Sequence, residues 1–122
     1  MFINISNHPS SSWKKDQLSA AKVYGKIYDI SFPIIPPEMD TSGMKHMLRE
    51  YIQRVDDIVN GQVDSTVIHV MGETVFTFML ITALLQRNYR VVASTTERIV
   101  CYEGEVKQTL FKFVRFRDYA LI

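Results

Sequence analysis

The sequence predicts an α/β fold built on a small parallel sheet, and three observations carry that expectation. Four short, strand-like runs rich in β-branched residues occur along the chain, and a helical pattern separates each run from the next. The alternation then stops, and Gly104-Glu105 divides two strand-like segments in the manner of a hairpin turn. Strands that alternate with helices imply parallel pairing through right-handed crossovers. The order β-α-β-α-β-α-β plus an antiparallel β-hairpin describes a Rossmann-like sheet covered on both faces, with the hairpin added at one edge. A ferredoxin-like arrangement is the alternative, and three helices after three successive strands argue against it.

The elements follow in order. Phe2 to Ser6 is the first strand. Ser11 or Ser12 offers a hydroxyl cap to a helix from Trp13 to Tyr24, with Gly25 where a left-handed residue is wanted. Lys26 to Phe32 is the second strand, ended by Pro33. Asp40, Thr41 and Ser42 are candidate caps for the clearest amphipathic helix: Met44, Met47, Leu48, Tyr51, Ile52, Val55, Ile58 and Val59 recur at helical spacing before Asn60-Gly61 stops it. Ser65 to Met71 is the third strand. Gly72-Glu73-Thr74 opens a helix from Val75 to Arg87 that is apolar on nearly all sides and is expected to be buried. Arg90 to Ser94 is the fourth strand, and Ser94-Thr95-Thr96-Glu97-Arg98 then interrupts the apolar pattern. Ile99 to Glu103 and Lys107 to Phe116 form the hairpin.

Bulk properties narrow the function classes. With 122 residues, 47% of them hydrophobic, the chain suits one domain spanning 1–122. A formal net charge of +1 gives no overall pull toward duplex DNA or an anionic membrane. Cys101 stands alone, which excludes an internal disulfide and fits a reducing compartment. Phe2-Ile3-Asn4-Ile5 reads as a strand and not as a signal peptide. The apolar run Val75 to Leu85 is far short of the roughly 20 residues a membrane helix needs. A cytoplasmic protein is expected.

The polar residues collect at one end of this scaffold. Ser6-Asn7-His8-Pro9-Ser10-Ser11-Ser12 leaves the first strand, Gly72-Glu73-Thr74 the third, and Ser94-Thr95-Thr96-Glu97-Arg98 the fourth. In open α/β sheets ligands bind outside the carboxyl ends of the strands, where strand order reverses. With order 2-1-3-4 that crevice lies between strands one and three. Backbone N–H groups beside Ser and Asn side chains suit an anion such as phosphate, although a Ser-rich helix entry is the plain alternative. His8 is the leading acid/base candidate. Glu73 is a weaker one, and it is equally suited to the positive end of a helix dipole. Gly72 lets a ligand approach the backbone, and Thr74 is a candidate contact or cap. There is no G-x-G-x-x-G, Walker or G-x-S-x-G motif. The three histidines lack partners at zinc-ligand spacing, so no metal or cofactor is expected. Phe113-Val114-Arg115-Phe116 suits an ordinary edge strand.

The opening Asn4-Ile5-Ser6-Asn7-His8-Pro9, the Trp- and Gln-containing helix after it, and the Tyr-Asp-Ile-Ser-Phe-Pro second strand resemble small single-domain CRISPR-associated proteins of type III systems. Those proteins look like reduced CARF domains, Rossmann-like modules that bind cyclic oligoadenylate, and several are ring nucleases that cleave this messenger. The resemblance implies a homodimer and attack of a ribose 2′-hydroxyl on the adjacent phosphate. Under it Arg98 stabilises phosphate charge and His8 transfers a proton, with Glu73 the second acid/base candidate. Ser6, Asn7, Ser10, Ser11, Ser12, Gly72, Thr74, Ser94, Thr95 and Thr96 position the ligand. A sensor that captures the messenger unchanged, and a flavodoxin-like nucleotide- or anion-binding protein, remain the competing readings.

Overall fold

A computed structural model describes residues 1–122. Strand β1 (Phe2–Ser6) lies at the centre of a five-stranded sheet, between β2 (Ile27–Ser31) and β3 (Val67–Met71). Strand β4 (Arg90–Glu103) follows β3, and β5 (Val106–Asp118) closes the edge, for an order β2-β1-β3-β4-β5. The first four strands are parallel and β5 is antiparallel to β4. The expected α/β fold, with its parallel order 2-1-3-4 and terminal hairpin, is the one observed.

Helix α1 (Lys15–Lys22) covers one face of the sheet, while α2 (Thr41–Val59) and α3 (Thr74–Gln86) pack together on the other. Strand alternation assigns the residues to these faces. Ile3, Ile5, Ile30, Ile68, Val70 and Val91 enter the larger core with Tyr51, Val55, Val59, Phe76, Leu80 and Leu84. Phe2, Val67 and Val92 point the opposite way and meet Trp13, Ala21 and Phe116 in a smaller one. Only eight helical residues cover this second face. Its half nearest the strand carboxyl ends is correspondingly polar.

Several local expectations change. The first helix starts at Lys15, with Lys14 as N-cap and no side-chain capping bond, and Ser10–Ser12 form a separate 3-10 turn. Neither Ser11 nor Ser12 caps it. Trp13 is extended between the two (ψ 146) because its ring is buried against Phe2 and its indole N–H donates to the His8 carbonyl. Helix α2 begins where expected, with Asp40 accepting from the Gly43 N–H, and ends at left-handed Asn60. Helix α3 is buried at Phe76, Leu80, Ile81 and Leu84, yet Phe78 is 71% exposed. No second layer covers that side of the helix, so its apolar outer face stays at the surface.

The largest correction concerns the break after the fourth strand. Ser94 to Arg98 is strand, not loop: β4 runs unbroken from Arg90 to Glu103 because β5 pairs with it residue by residue. Thr95 and Thr96 are β-branched and suit this setting. A bulge between them sets Thr95 opposite Arg115 and Thr96 opposite Phe113, leaving Val114 as the extra residue. Strand β3 pairs with β4 only through Val92, so the remainder of the hairpin is a two-stranded arm reaching past the sheet. Gly104, at φ +63, turns it. Val100, Tyr102, Val106, Leu110 and Phe111 are exposed along the arm. No helix is long and apolar enough to cross a membrane.

Candidate functional site

Register brings together residues that are far apart in sequence. Asn4 stands opposite Asp29 across β1–β2 and opposite His69 across β1–β3. Val92 is opposite His69, and Ser94 lies two residues beyond it on the same face. Asp29, Asn4, His69 and Ser94 therefore make a polar row across the α1 side of the sheet. The Asn4 amide nitrogen donates to the Asp29 carboxylate (2.8 Å) and to the His8 carbonyl (2.9 Å). Its carbonyl oxygen meets the Ser6 hydroxyl and His69 Nδ1, both at 2.9 Å. His69 Nε2 lies 2.8 Å from Ser94 Oγ, which also accepts from the Gln17 side-chain amide at 3.1 Å.

Electrostatics follow from burial. His69 is 2% exposed, among the rings of Phe2, Trp13 and Phe116, and burial lowers its pKa to about 4. It is neutral at physiological pH. Burial pushes the Asp29 carboxyl up, but hydrogen bonds from the Ser10 hydroxyl, the Asn4 amide and the Ser10 N–H outweigh this and hold it below the usual range.

A cleft of about 360 Å³ opens above this row, lined by Ser6, Asn7, His8, Trp13, Gln17, His69, Met71, Gly72, Ser94 and Thr96. It lies at the carboxyl ends of β1 and β3, where strand order reverses. An adjoining groove of about 660 Å³ shares His8, Gln17 and Thr96 with it and continues between the start of α1 and the arm. Lys14, Lys112, Phe111 and Phe113 line that groove.

Six of the expected site residues thus meet in one cleft: Ser6, Asn7, His8, Gly72, Ser94 and Thr96. The others are placed elsewhere. Ser10 binds Asp29, the Ser12 hydroxyl donates to the Pro9 carbonyl, and Ser11 is exposed on the 3-10 turn. Thr95 Oγ1 bonds to the backbone of Arg115. Arg98 stands opposite Phe111 on the exposed arm, outside both clefts. Glu73 caps α3, accepting from the Val75 and Phe76 N–H groups at 2.8 Å each, and this fixes its carboxylate at the helix dipole. Thr74 is the first residue of that helix and lines an apolar hollow with Phe78, Leu85 and Leu121. No three His, Cys, Asp or Glu side chains are grouped to hold a metal ion.

Asn4, Trp13, Gln17 and His69 are the cleft's supporting residues that local sequence reading passes over. For Asn4 and His69 the one signal is a polar residue within an otherwise apolar strand, and Gln17 on α1 carries none.

Gly72 is required by close packing. A Cβ on it would overlap Cδ2, Cε2 and Cζ of Phe32, whose ring is held edge-on against Phe76. Gly72→Ala is expected to cost about 1–3 kcal/mol through overpacking and to displace the cleft wall. Urea denaturation measures it, and a change under about 0.5 kcal/mol, the usual surface value, refutes it.

Comparison with curated proteins and with solved structures returns no match. A family model does match, over residues 1–117, and so takes in every strand-end segment of the cleft and almost all of the arm. The chain belongs to the Uncharacterized protein MJ1673 family.

Proposed function

We propose that this chain is a CARF-like ring nuclease of a CRISPR type III system, which binds a cyclic oligoadenylate at the strand-end cleft and cleaves it. The observation that supports the reading best is the meeting of Asn7-His8, Gly72 and Ser94-Thr96 in one cleft, continuous with a groove bearing Lys14 and Lys112. The resemblance of the Ser6-Asn7-His8-Pro9 opening to such proteins supplies the ligand class. About 360 Å³ is near the lower end of small-molecule sites, roughly 300–1,000 Å³, so a ring of several nucleotides must extend along the groove and onto a second copy. A two-fold dimer offers the same surfaces twice to a ring with internal symmetry.

Each chemical need has a candidate. Phe111 and Phe113 offer faces on which adenine can stack. Lys14 and Lys112 take the phosphate-facing role that Arg98 is too remote to fill within one chain. The exposed His8 transfers a proton to the departing 5′ oxygen. The 2′-hydroxyl is the substrate's own nucleophile, so alignment is the main demand on the protein.

Incubation with cyclic tri-, tetra- and hexa-adenylate in EDTA, followed by chromatography, tests the reading. Linear products are expected, and His8→Ala is expected to lower turnover by about 10²–10⁴-fold at unchanged thermal stability. Tight binding with the ring recovered intact identifies a sensor instead. No binding of any ring rejects both.

A further inference from the structure

We infer that Ser94 is the group that takes the proton from the attacking ribose 2′-hydroxyl, handing its own proton to His69, whose ring Asn4 holds in a single tautomer. The inference rests on the cyclic oligoadenylate reading above and adds the missing base to it.

The hydrogen-bond directions can be derived one after another. The nitrogen of the Asn4 amide faces the Asp29 carboxylate and the His8 carbonyl. Both are pure acceptors, so the amide orientation is fixed and Oδ1 must face His69 Nδ1. A carbonyl oxygen only accepts, hence Nδ1 carries the ring proton. A neutral imidazole has one N–H, which leaves Nε2 bare and accepting. Its partner, Ser94 Oγ at 2.8 Å, must donate to it. The Gln17 amide donates to the same oxygen at 3.1 Å. The hydroxyl hydrogen is therefore committed inward, and the remaining lone pair is free to accept. Ser94, His69 and Gln17 all line the cleft, so that lone pair is within reach of a ligand there.

This is the arrangement by which a hydroxyl is made a better proton acceptor, with the imidazole oriented by a third group. In the proposed step the 2′ oxygen bonds to phosphorus and the P–O5′ bond breaks. The 2′ proton passes to Ser94 Oγ as the Ser94 proton passes to His69 Nε2. His8, protonated, gives its proton to the departing 5′ oxygen. The products are a 2′,3′-cyclic phosphate and a 5′-hydroxyl, and the two imidazoles reset by exchange with solvent. Ser94 is the catalytic residue here, while Asn4 is a positioning residue acting through His69.

The test measures affinity and single-turnover rate separately, using the cyclic oligoadenylate that wild type cleaves. Ser94→Ala is expected to bind within about threefold of wild type and to cleave about 10²–10⁴-fold more slowly. Ser94→Thr keeps a hydroxyl and is expected to recover most of the rate. His69→Gln keeps a donor and an acceptor but takes up no proton, and should match the Ser94→Ala loss. Nitrogen-15 NMR of the imidazoles in wild type should report the Nδ1–H tautomer for His69. If wild type cleaves and Ser94→Ala cleaves at the same rate, the relay is wrong and the ring-nuclease reading stands. Binding lost in parallel with cleavage makes Ser94 a ligand-holding residue and also overturns the relay. If wild type leaves every ring intact, there is no ribose step to serve and both fail.

Discussion

Replacing Asn4 by alanine is expected to destabilise the protein by about 3 kcal/mol, far more than one polar-to-alanine change usually costs. Asn4 is 1% exposed, and its amide makes four hydrogen bonds, to Asp29, the His8 carbonyl, Ser6 and His69. The His8 carbonyl keeps the Trp13 indole, and Ser6 can turn its hydroxyl to that same carbonyl at 3.0 Å. The Asp29 carboxylate keeps Ser10. His69 Nδ1–H keeps nothing. One buried unpaired donor costs about 1–3 kcal/mol, and the satisfied bonds lost add about 1 kcal/mol each before water enters. Urea unfolding of Asn4→Ala beside Ser10→Ala checks the assignment. Ser10→Ala removes one exposed hydroxyl and should cost under about 1 kcal/mol. Equal losses from the two variants contradict a network centred on Asn4. Because Asn4 also fixes the His69 tautomer, the same variant should lose the single Nδ1–H signature in the NMR spectrum.

Why this centre escapes a reading of the sequence is a matter of register. Asn4 and His69 are 65 residues apart, and their contact exists only because β3 aligns with β1 as it does. Each residue taken alone is a polar interruption of an apolar strand, and both are buried. What local pattern does reveal is the alternation of strands and helices. Given order 2-1-3-4, which is the one observed, the crevice falls between β1 and β3, and Asn7, His8 and Gly72 lie there.

The Ser94–Arg98 error has the opposite origin. A stretch of Ser, Thr, Glu and Arg resembles a solvated loop because polar composition usually marks one. In this protein both faces of the two-stranded arm meet solvent over much of its length, so polarity carries no information about backbone conformation there. Pairing with β5 decides the conformation, and that pairing is non-local until Gly104 turns the chain. The correction also reverses the roles expected of neighbouring residues. Thr96 faces the cleft, Thr95 satisfies the Arg115 backbone on the other side of the strand, and Arg98 is carried out along the arm.

Acidification from pH 6.5 to pH 4 is expected to remove on the order of 3 kcal/mol of stability through His69 alone. Its folded pKa, lowered to about 4 by burial, lies below the ordinary value of 6.5. Between those limits the unfolded chain holds a proton on this residue and the native chain does not. Unfolding then takes up a proton, so stability rises with pH across the window, is complete above 6.5, and falls as the pH drops. About 2.5 units at 1.36 kcal/mol each sets the scale. The groups facing the ring are Phe2 and Asn4 from β1, Ser94 from β4, Phe116 from β5 and Trp13 before α1. None is charged, and the nearest carboxylate in the row, Asp29, is separated from it by Asn4. No charged group of the protein therefore stabilises an imidazolium there when the cleft is empty. Asp29 and Asp118, both held below the usual carboxylate range, contribute in a lower window. Their stabilisation is present above about pH 4 and lost as pH falls through their folded values. Urea titrations at half-unit steps from pH 7.5 to 4.5 separate the two windows. Wild type should lose stability steadily below 6.5, while His69→Gln should be nearly flat down to 4.5. An equal slope in both proteins would assign the acid sensitivity to other groups and mean that the native ring accepts a proton as readily as the unfolded one, against the burial that lowers its pKa.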